Sequence, residues 1–173
     1  MLQLTLQPLS QLTAEQLATK TMFDCGQPAL NNYLINTAKQ HDTKNITRSF
    51  CAIKDDRIIG YYSLSNATVD INNLPPTITK RYKLPKHDMP VVRLCRLAID
   101  SQLQRQGIGE KLLIDALEKV LSVAKVSGCV GMVVDAKDQA AANYYQGYGF
   151  VPAPDNPLLL FMPLPTIQEL FAE

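Results

Sequence analysis

A repeated change from strand-like to helical patterning limits most strongly what this chain can fold into. Val91–Asp100 has the residues of a strand and leads through a polar turn into a helix with one apolar face. Cys129–Val134 is a short, continuously apolar run typical of a buried strand. Upstream, the β-rich runs 46–54 and 57–65 meet at Asp55-Asp56 and predict a hairpin. This order predicts an α/β fold with a mixed central sheet flanked by helices.

Weaker patterns complete the order of elements. Pro28 opens a predicted helix that runs to about Gln40, because proline at the first helical position loses no hydrogen bond. Residues 72–90 contain four prolines and predict a long irregular excursion with one helical turn. The other expected elements are a strand at 3–8, a helix over Gln139–Tyr148 capped by Asp138 and ended by Gly149, and a strand over Leu158–Met162.

Composition excludes several classes of protein. The chain has 173 residues, of which 46% are hydrophobic and 19% charged, so we expect one globular domain over residues 1–173 rather than a disordered chain. Four cysteines without a CxxC pair, beside only two histidines, predict no metal site and favour thiols in a reducing cytoplasm. The sequence shows neither a signal-peptide pattern nor an apolar run of the roughly 18 residues that a membrane helix needs.

A glycine-containing turn, Gln104-Arg105-Gln106-Gly107-Ile108-Gly109, lies between the predicted strand 91–100 and the helix after it. The first amides of a helix lack intrahelical partners, and glycines let an anion approach them closely. A pyrophosphate suits such a turn, although a purely structural glycine turn fits the pattern equally well. The spacing matches neither the Walker loop nor the dinucleotide fingerprint.

A second segment, Ala141 to Phe150, follows the apolar strand by the length of one short helix. It contains Tyr144 and Tyr145, which lie about 100° apart around a helix and cannot serve the same face. We expect Tyr144 to be a core residue with its hydroxyl in water.

Together these segments resemble two signatures of the GNAT superfamily of acyl-CoA-dependent N-acetyltransferases. The phosphate motif, Gln/Arg-x-x-Gly-x-Gly/Ala, is matched by Gln104, Gly107 and Gly109. The later motif, Ala-x-x-Phe/Tyr-Tyr-x-x-x-Gly-Phe, is matched by Ala141, Tyr144, Tyr145, Gly149 and Phe150. Their order and spacing agree with that family across Val91–Phe150.

The resemblance implies the GNAT fold, with acetyl-CoA as the cofactor and its pyrophosphate on the 104–109 turn. Its pantetheine arm would run between strands 91–99 and 129–135 and pair with backbone near Leu97 and Ile99. Tyr145 would face the thioester sulfur as the catalytic residue. The implied cofactor-binding residues are Leu97, Ala98, Ile99, Gln104, Arg105, Gln106, Gly107, Ile108, Gly109, Glu110, Lys111 and Asn143.

A closer resemblance, to the TacT-type toxins, covers nearly the whole chain. It is carried by the blocks Phe23–Gly26, Gly60–Ser65, Arg96–Asp100 and Val134–Ala136, and by Leu74-Pro75 and Arg81-Tyr82 in the excursion. Members of that family acetylate the α-amino group of aminoacyl-tRNA and so stop translation, and a ribbon-helix-helix antitoxin neutralises them. The resemblance therefore implies both partners for this chain. Whether it forms a homodimer stays open.

Charge is distributed unevenly along the chain. Residues 39–96 carry a formal charge of +6 and the remainder −5, which is enough for one basic face toward a polyanion. The candidate tRNA-binding residues are Lys80, Arg81, Lys83, Lys86, Arg93 and Arg96. A solvated charged loop is the alternative.

Chemical arguments narrow the choice of the amine that accepts the acetyl group. Acetyl transfer needs a neutral amine and a proton for the departing thiolate, and a phenol can supply the proton. Strand 91–99 contains no carboxylate that could act as a base. An α-amine, with a pKa of about 7.7–8.0, needs a base less than a lysine at about 10.4 does, although Asp135 or water remains available. A small-molecule amine or a protein N-terminus as acceptor, and a non-catalytic acyl-CoA-binding regulator, are the alternative functions.

Overall fold

A computed structural model gives the architecture and describes residues 3–172. Short 3₁₀ turns join several of the regular elements. The strands are β1 (Thr5–Pro8), β2 (Arg48–Lys54), β3 (Arg57–Val69), β4 (Met89–Ile99), β5 (Gly131–Asp135), β6 (Val151–Ala153) and β7 (Asn156–Pro163). The helices are α1 (Ala14–Ala18), α2 (Pro28–Asn36), α3 (Ala38–Thr43), α4 (Pro76–Arg81), α5 (Ile108–Val126), α6 (Gln139–Gln146) and α7 (Leu164–Leu170).

The seven strands form one sheet in the order β1-β2-β3-β4-β5-β7-β6. Pairing is antiparallel between β1 and β2, β2 and β3, β5 and β7, and β6 and β7, whereas β4 and β5 are parallel. The predicted α/β class with a mixed sheet flanked by helices is therefore confirmed.

The predicted hairpin at Asp55-Asp56 is present. Both residues have positive φ, 51° and 58°, which is the conformation of a two-residue turn that matches the twist of its strands. It joins β2 to β3, which pair from Arg48↔Leu64 to Lys54↔Arg57.

The chain divides into two compact units, one reaching to Ser65 and including Cys95–Ala116, the other formed by Asn66–Leu94 and the chain from Leu117 onward. β3, β4 and α5 each contribute residues to both units. A single domain over 1–173 stays a prediction. The core of the first unit is Leu9, Phe23, Cys25, Tyr33, Leu34, Ala38, Cys51, Ile53, Ile58, Tyr61 and Ala98. The core of the second is Val69, Leu74, Ile78, Met89, Val91, Val133 and Phe161.

Two sequence expectations about helices need correction. The helix predicted from Pro28 to about Gln40 is two helices, because the backbone of Thr37 leaves the helical region with φ −128°. The helix predicted to reach Tyr148 ends at Gln146, with Gly147 as its C-cap. Its start is as expected, since the Asp138 carboxylate accepts a hydrogen bond of 2.8 Å from the Ala141 amide.

Within residues 3–172 no helix combines the length and apolarity needed to cross a bilayer. Over the same range, no three His, Cys, Asp or Glu side chains are grouped so that they could ligate a metal.

Candidate functional site

The 104–109 turn lies between the end of β4 and the start of α5. Gln104 to Gly107 are exposed, and Ile108, the first residue of α5, is buried and fixes the helix start. Arg105 and Gly107 both have positive φ, 62° and 82°. Left-handed residues in a turn direct successive backbone N–H groups toward one side, and such a concavity binds anions.

Asp100, only 3% exposed, anchors the start of this turn. Its carboxylate accepts hydrogen bonds from the Gln102 amide at 3.1 Å, from Arg57 Nη2 at 3.2 Å and from the Asp24 amide at 3.4 Å. A buried carboxylate is tolerated only when it is paired and hydrogen-bonded in this way. The end of β4 is thereby tied to the hairpin and to the segment before α2.

Gln104, the first residue of the turn, is held in place by its side chain. Its side-chain amide donates to the carbonyls of Ile99, at 3.0 Å, and Cys25, at 3.2 Å. Ser101 adds two bonds, because its amide and its hydroxyl both donate to the Asp24 carbonyl at 2.9 Å. The Gln104 side chain thus positions the turn. Asp24, Cys25 and Asp100 were not among the site residues expected from sequence.

The turn has the properties that a diphosphate requires. A Cβ placed on Gly107 would meet no protein atom within 4 Å, so the space above this backbone is open. The first amides of α5, from Ile108 on, lack intrahelical acceptors and carry the positive end of a 19-residue helix. Arg105 and Lys111 flank the turn and are both exposed. The residues present therefore fit a pyrophosphate group.

Beside the turn, β4 pairs with β5 over only part of its length. Its ladder with β5 covers Val92 to Leu94, whereas β4 itself continues to Ile99. Leu97 and Ile99 are half-buried, and Ala98 is buried in the first unit's core. The Ile99 carbonyl already accepts the Gln104 bond, which leaves it one further lone pair.

Tyr145 lies on the inner face of α6 and is 8% exposed. Its ring makes edge contacts with Tyr144 and Phe150, at centroid distances of 5.4 and 5.6 Å. Burial raises the pKa of its phenol to about 12, so the hydroxyl keeps its proton throughout the physiological range. Asn143, on the same helix, is exposed, and its side-chain oxygen accepts a bond of 2.9 Å from Gln139.

The expectation that Tyr144 belongs to the core is wrong. Tyr144 is 39% exposed, and the buried residues of α6 are Ala142 and Tyr145. These two lie three positions apart and so share one helix face, which turns their neighbour Tyr144 outward.

The basic residues expected to contact tRNA lie in two different environments. Lys80 and Arg81 end α4, Lys83 and Lys86 follow it, and all four are exposed. The Arg81 guanidinium lies over the Tyr82 ring, 5.4 Å from its centroid. Cations at a helix C-terminus also stabilise the helix dipole.

Arg93 and Arg96 differ from that cluster. Arg93 donates to the Asp135 carboxylate across the β4–β5 pair, so each of these two charges has the other as a partner. Arg96 stacks on Tyr33 of α2 at 3.5 Å from the ring centroid. The turn, Leu97–Ile99 and Arg96 belong to the first unit, and the second contains α6 with Tyr145 and Asn143, the α4 lysines and Arg93.

Comparison with known proteins settles the family. Residues 45–152 match the acetyltransferase (GNAT) domain, which is more than half of the chain. The chain belongs to the GNAT acetyltransferase family. The GNAT match spans β4, the 104–109 turn, α5 and α6, so it includes both motifs recognised in the sequence.

Individual relatives are similar over most of this GNAT chain. A tRNA-acetylating toxin of Mycobacterium tuberculosis (strain ATCC 25618 / H37Rv) is 30% identical over 142 residues, covering 82% of this chain and 84% of that protein. The structure of AtaT complexed with acetyl-methionyl-tRNAfMet has a TM-score of 0.86 and 32% identity, covering 98% and 99%. A mutant AtaT toxin bound to the C-terminus of the antitoxin AtaR and acetyl-CoA has a TM-score of 0.81 and 28% identity, again covering 98% and 99%.

Proposed function

We propose that this protein transfers the acetyl group of acetyl-CoA to the α-amino group of an aminoacyl-tRNA and thereby acts as a toxin that blocks translation. One observation carries the proposal: the fold is shared over 98% of the chain with a toxin, AtaT, complexed with acetyl-methionyl-tRNAfMet. The substrate of translation is charged tRNA, so we place the activity in the cytoplasm. A ribbon-helix-helix antitoxin is the proposed regulator, in line with the AtaR complex of the same relative.

Acetyl-CoA supplies the acetyl group as an activated thioester. The backbone of Gln104 to Gly109, which is exposed as far as Gly107, would hold its diphosphate, with Lys111 and Arg105 contributing positive charge. Glu110 and Asn143 complete the proposed cofactor-binding set. The half-buried backbone at Leu97 and Ile99, beyond the β4–β5 ladder, supplies peptide groups for the pantetheine amides.

Tyr145 is the proposed general acid. Its burial keeps the phenol protonated at neutral pH, so the Oη proton is present when a thiolate departs. A thiol has a pKa of about 8.5 in water, and the dry surroundings that raise the phenol's pKa raise that of a thiolate held there as well. The two shifts act on the proton transfer in opposite directions, so the rise for the thiolate offsets the rise for the phenol.

The acceptor amine is proposed to need no strong base. Asp135, the carboxylate that remained available from sequence, is already paired with Arg93. An α-amine with a pKa near 7.7–8.0 is partly neutral at physiological pH without help, whereas a lysine side chain is not. Charged tRNA offers such an amine next to phosphates that the exposed cluster Lys80, Arg81, Lys83 and Lys86 can attract.

The decisive test is transfer of labelled acetyl from acetyl-CoA to total charged tRNA, followed by identification of the labelled amino acid. Label on the α-amine of charged tRNA, with none on uncharged tRNA, is the expected result. Label that appears only on free amines or protein N-termini under the same conditions would overturn the proposal.

A further inference from the structure

A groove of about 460 Å³ lies between α2 and the side chain of Arg96 in the first unit. Asn32, Asn36 and Thr37 contribute polar groups to it, and Ala29 and Leu30 contribute apolar atoms. None of the residues that line it, within the described range 3–172, is acidic. The groove is therefore a partly open polar surface with one positive charge.

The side chain of Arg96 is held in place in this groove by its contact with Tyr33. Its guanidinium carbon lies over the Tyr33 ring, 3.5 Å from the ring centroid, and the Tyr33 hydroxyl shares a hydrogen bond of 2.8 Å with the Thr47 hydroxyl. Tyr33 also stacks on Tyr61, at a centroid distance of 6.4 Å, so the ring under the cation is itself packed against a second ring. Stacking orients a guanidinium and leaves its N–H groups free to donate in the ring plane.

Over residues 3–172 no carboxylate forms an ion pair with Arg96, whereas Arg48, Arg57 and Arg93 all have one. A guanidinium presents a planar fork of N–H donors. When no carboxylate of the protein itself accepts from it, it is the side-chain group that binds phosphate oxygens most effectively. Neutral Asn32 and Asn36 add amide donors on the same groove.

The position of Arg96 along β4 limits what this anion can be. Arg96 directly precedes Leu97, which lies beyond the end of the β4–β5 ladder at Leu94. In a charged tRNA the amino acid is esterified to the terminal ribose, and the next phosphate lies on the other side of that same sugar. An amine brought to the β4 backbone therefore carries a phosphodiester one ribose away.

We propose that the Arg96 groove is the subsite for the terminal phosphodiester of the aminoacyl-tRNA acceptor, with Arg96 as a specificity-determining residue. The inference rests on the proposed function. It predicts that the enzyme distinguishes an acceptor with this phosphate from one without it, before any other part of the tRNA is recognised.

The test compares two small acceptors that carry the same amino acid, aminoacyl-adenosine and the dinucleotide cytidylyl-adenosine aminoacylated at its end. The measured quantity is the ratio of kcat/KM for the dinucleotide to that for the nucleoside. For the wild type this ratio should exceed one. In Arg96→Gln it should fall about tenfold or more, the usual worth of a charge-assisted hydrogen bond. Arg96→Lys, which keeps the charge without the fork, should lie between them.

Two further variants keep the test decisive if Arg96→Gln fails to fold. Asn32→Asp has nearly the same shape and places a carboxylate in the groove, so it should lower the ratio by competing for Arg96. Lys44→Gln, an exposed cation on the same unit but outside the groove, should leave the ratio unchanged.

An unchanged ratio in folded Arg96→Gln and Asn32→Asp would overturn the subsite. So would a loss of binding to an antitoxin C-terminal peptide with the ratio intact, because the groove would then belong to a protein partner. A wild-type enzyme that acetylates no charged tRNA would refute the proposed function instead, which separates the two failures.

Discussion

Arg57 Nη2 lies 3.2 Å from Asp100 Oδ2, and this contact joins the first residue of β3 to the residue that starts the turn between β4 and α5. The Arg57 Nε is buried without a hydrogen-bond partner in the described part of the chain, and Nη2 has the Met22 carbonyl, at 3.4 Å, as its other acceptor. The geometry of the 104–109 turn is therefore set partly by a residue of the β2–β3 hairpin.

Asp100→Asn should weaken coenzyme A binding and lower stability together. The substitution removes an anion that accepts three hydrogen bonds and replaces one acceptor oxygen with a donor. We expect a loss of ~1–3 kcal/mol in unfolding free energy, discounted because Arg57 is partly exposed. Affinity for coenzyme A should fall about tenfold by calorimetry.

Asp70→Asn is the matched control for that change. Asp70 also accepts a bond from the amide two residues later, at 2.8 Å, but it is exposed and lies on the second unit. Equal losses of affinity in the two variants would show that Asp100 has no particular connection with the turn.

Gly107→Asp and Gly107→Asn separate charge from backbone strain at the turn. Both side chains have the same shape and impose a similar cost at φ +82°, where the space for a Cβ is open. Only aspartate adds a negative charge beside the diphosphate. Coenzyme A affinity should therefore fall clearly further in the aspartate variant, and the difference should shrink at high salt. Similar affinities for both variants would refute a diphosphate at this position.

Tyr145→Phe should abolish acetyl transfer while acetyl-CoA still binds. The ring contacts with Tyr144 and Phe150 are kept, and only the hydroxyl proposed as the proton donor is removed. General acids typically contribute about 10²–10⁴-fold to rate, and a decrease of that size in kcat is expected. Tyr144→Phe is the control, because Tyr144 is exposed. The activity of this variant should stay near that of the wild type. A Tyr145→Phe enzyme with normal kcat would remove the phenol from the mechanism.

Alkaline pH should destabilise the wild type more than Tyr145→Phe. Burial raises the pKa of Tyr145 from 10.0 to about 12 in the folded state, so above pH 10 the unfolded state loses its phenolic proton first. The stability contributed by the neutral phenol is complete below pH 10 and is lost between pH 10 and 12, at up to ~1.4 kcal/mol per pH unit. Burial raises the pKa of Cys51 as well, and that contribution is common to both proteins. Denaturant unfolding at pH 8 and pH 11 measures the difference, and parallel losses in both proteins would contradict it.

Lys80→Gln combined with Arg81→Gln should lower affinity for tRNA and flatten its salt dependence. Removing one cation that binds a phosphate reduces the slope of log affinity against log salt by roughly one. Lys39→Gln with Lys44→Gln removes the same charge from exposed positions of α3 and its C-terminus. Filter binding at several salt concentrations compares the pairs, and identical slopes would mean that α4 is no special tRNA surface.

The sequence predicted the features that depend on local chemistry. The hairpin at Asp55-Asp56, the Asp138 cap and the turn at Gly107 all follow from residue types within a few positions of one another. Strand β6 and helix α7 were missed because each lies next to prolines, which mark loops as readily as the first turn of a helix.

Contacts between distant parts of the chain could not be predicted. The brace under the turn joins Asp24 to Ser101 and Cys25 to Gln104, which are 77 and 79 residues apart. The strand register pairs Arg93 with Val133 and so brings it within reach of Asp135, two residues further along β5, which changed the interpretation of both charged residues. Which of Tyr144 and Tyr145 is buried likewise depends on how α6 is rotated against its unit, and a short pattern does not fix that angle.

The place of β7 in the sheet gives one strand two structural roles in the second unit. β7 lies between β5 and β6 and packs against α6, so the same strand supports β5 and the helix that bears Tyr145. A substitution that loosens β7 is therefore expected to disturb the sheet and the position of the Tyr145 helix together.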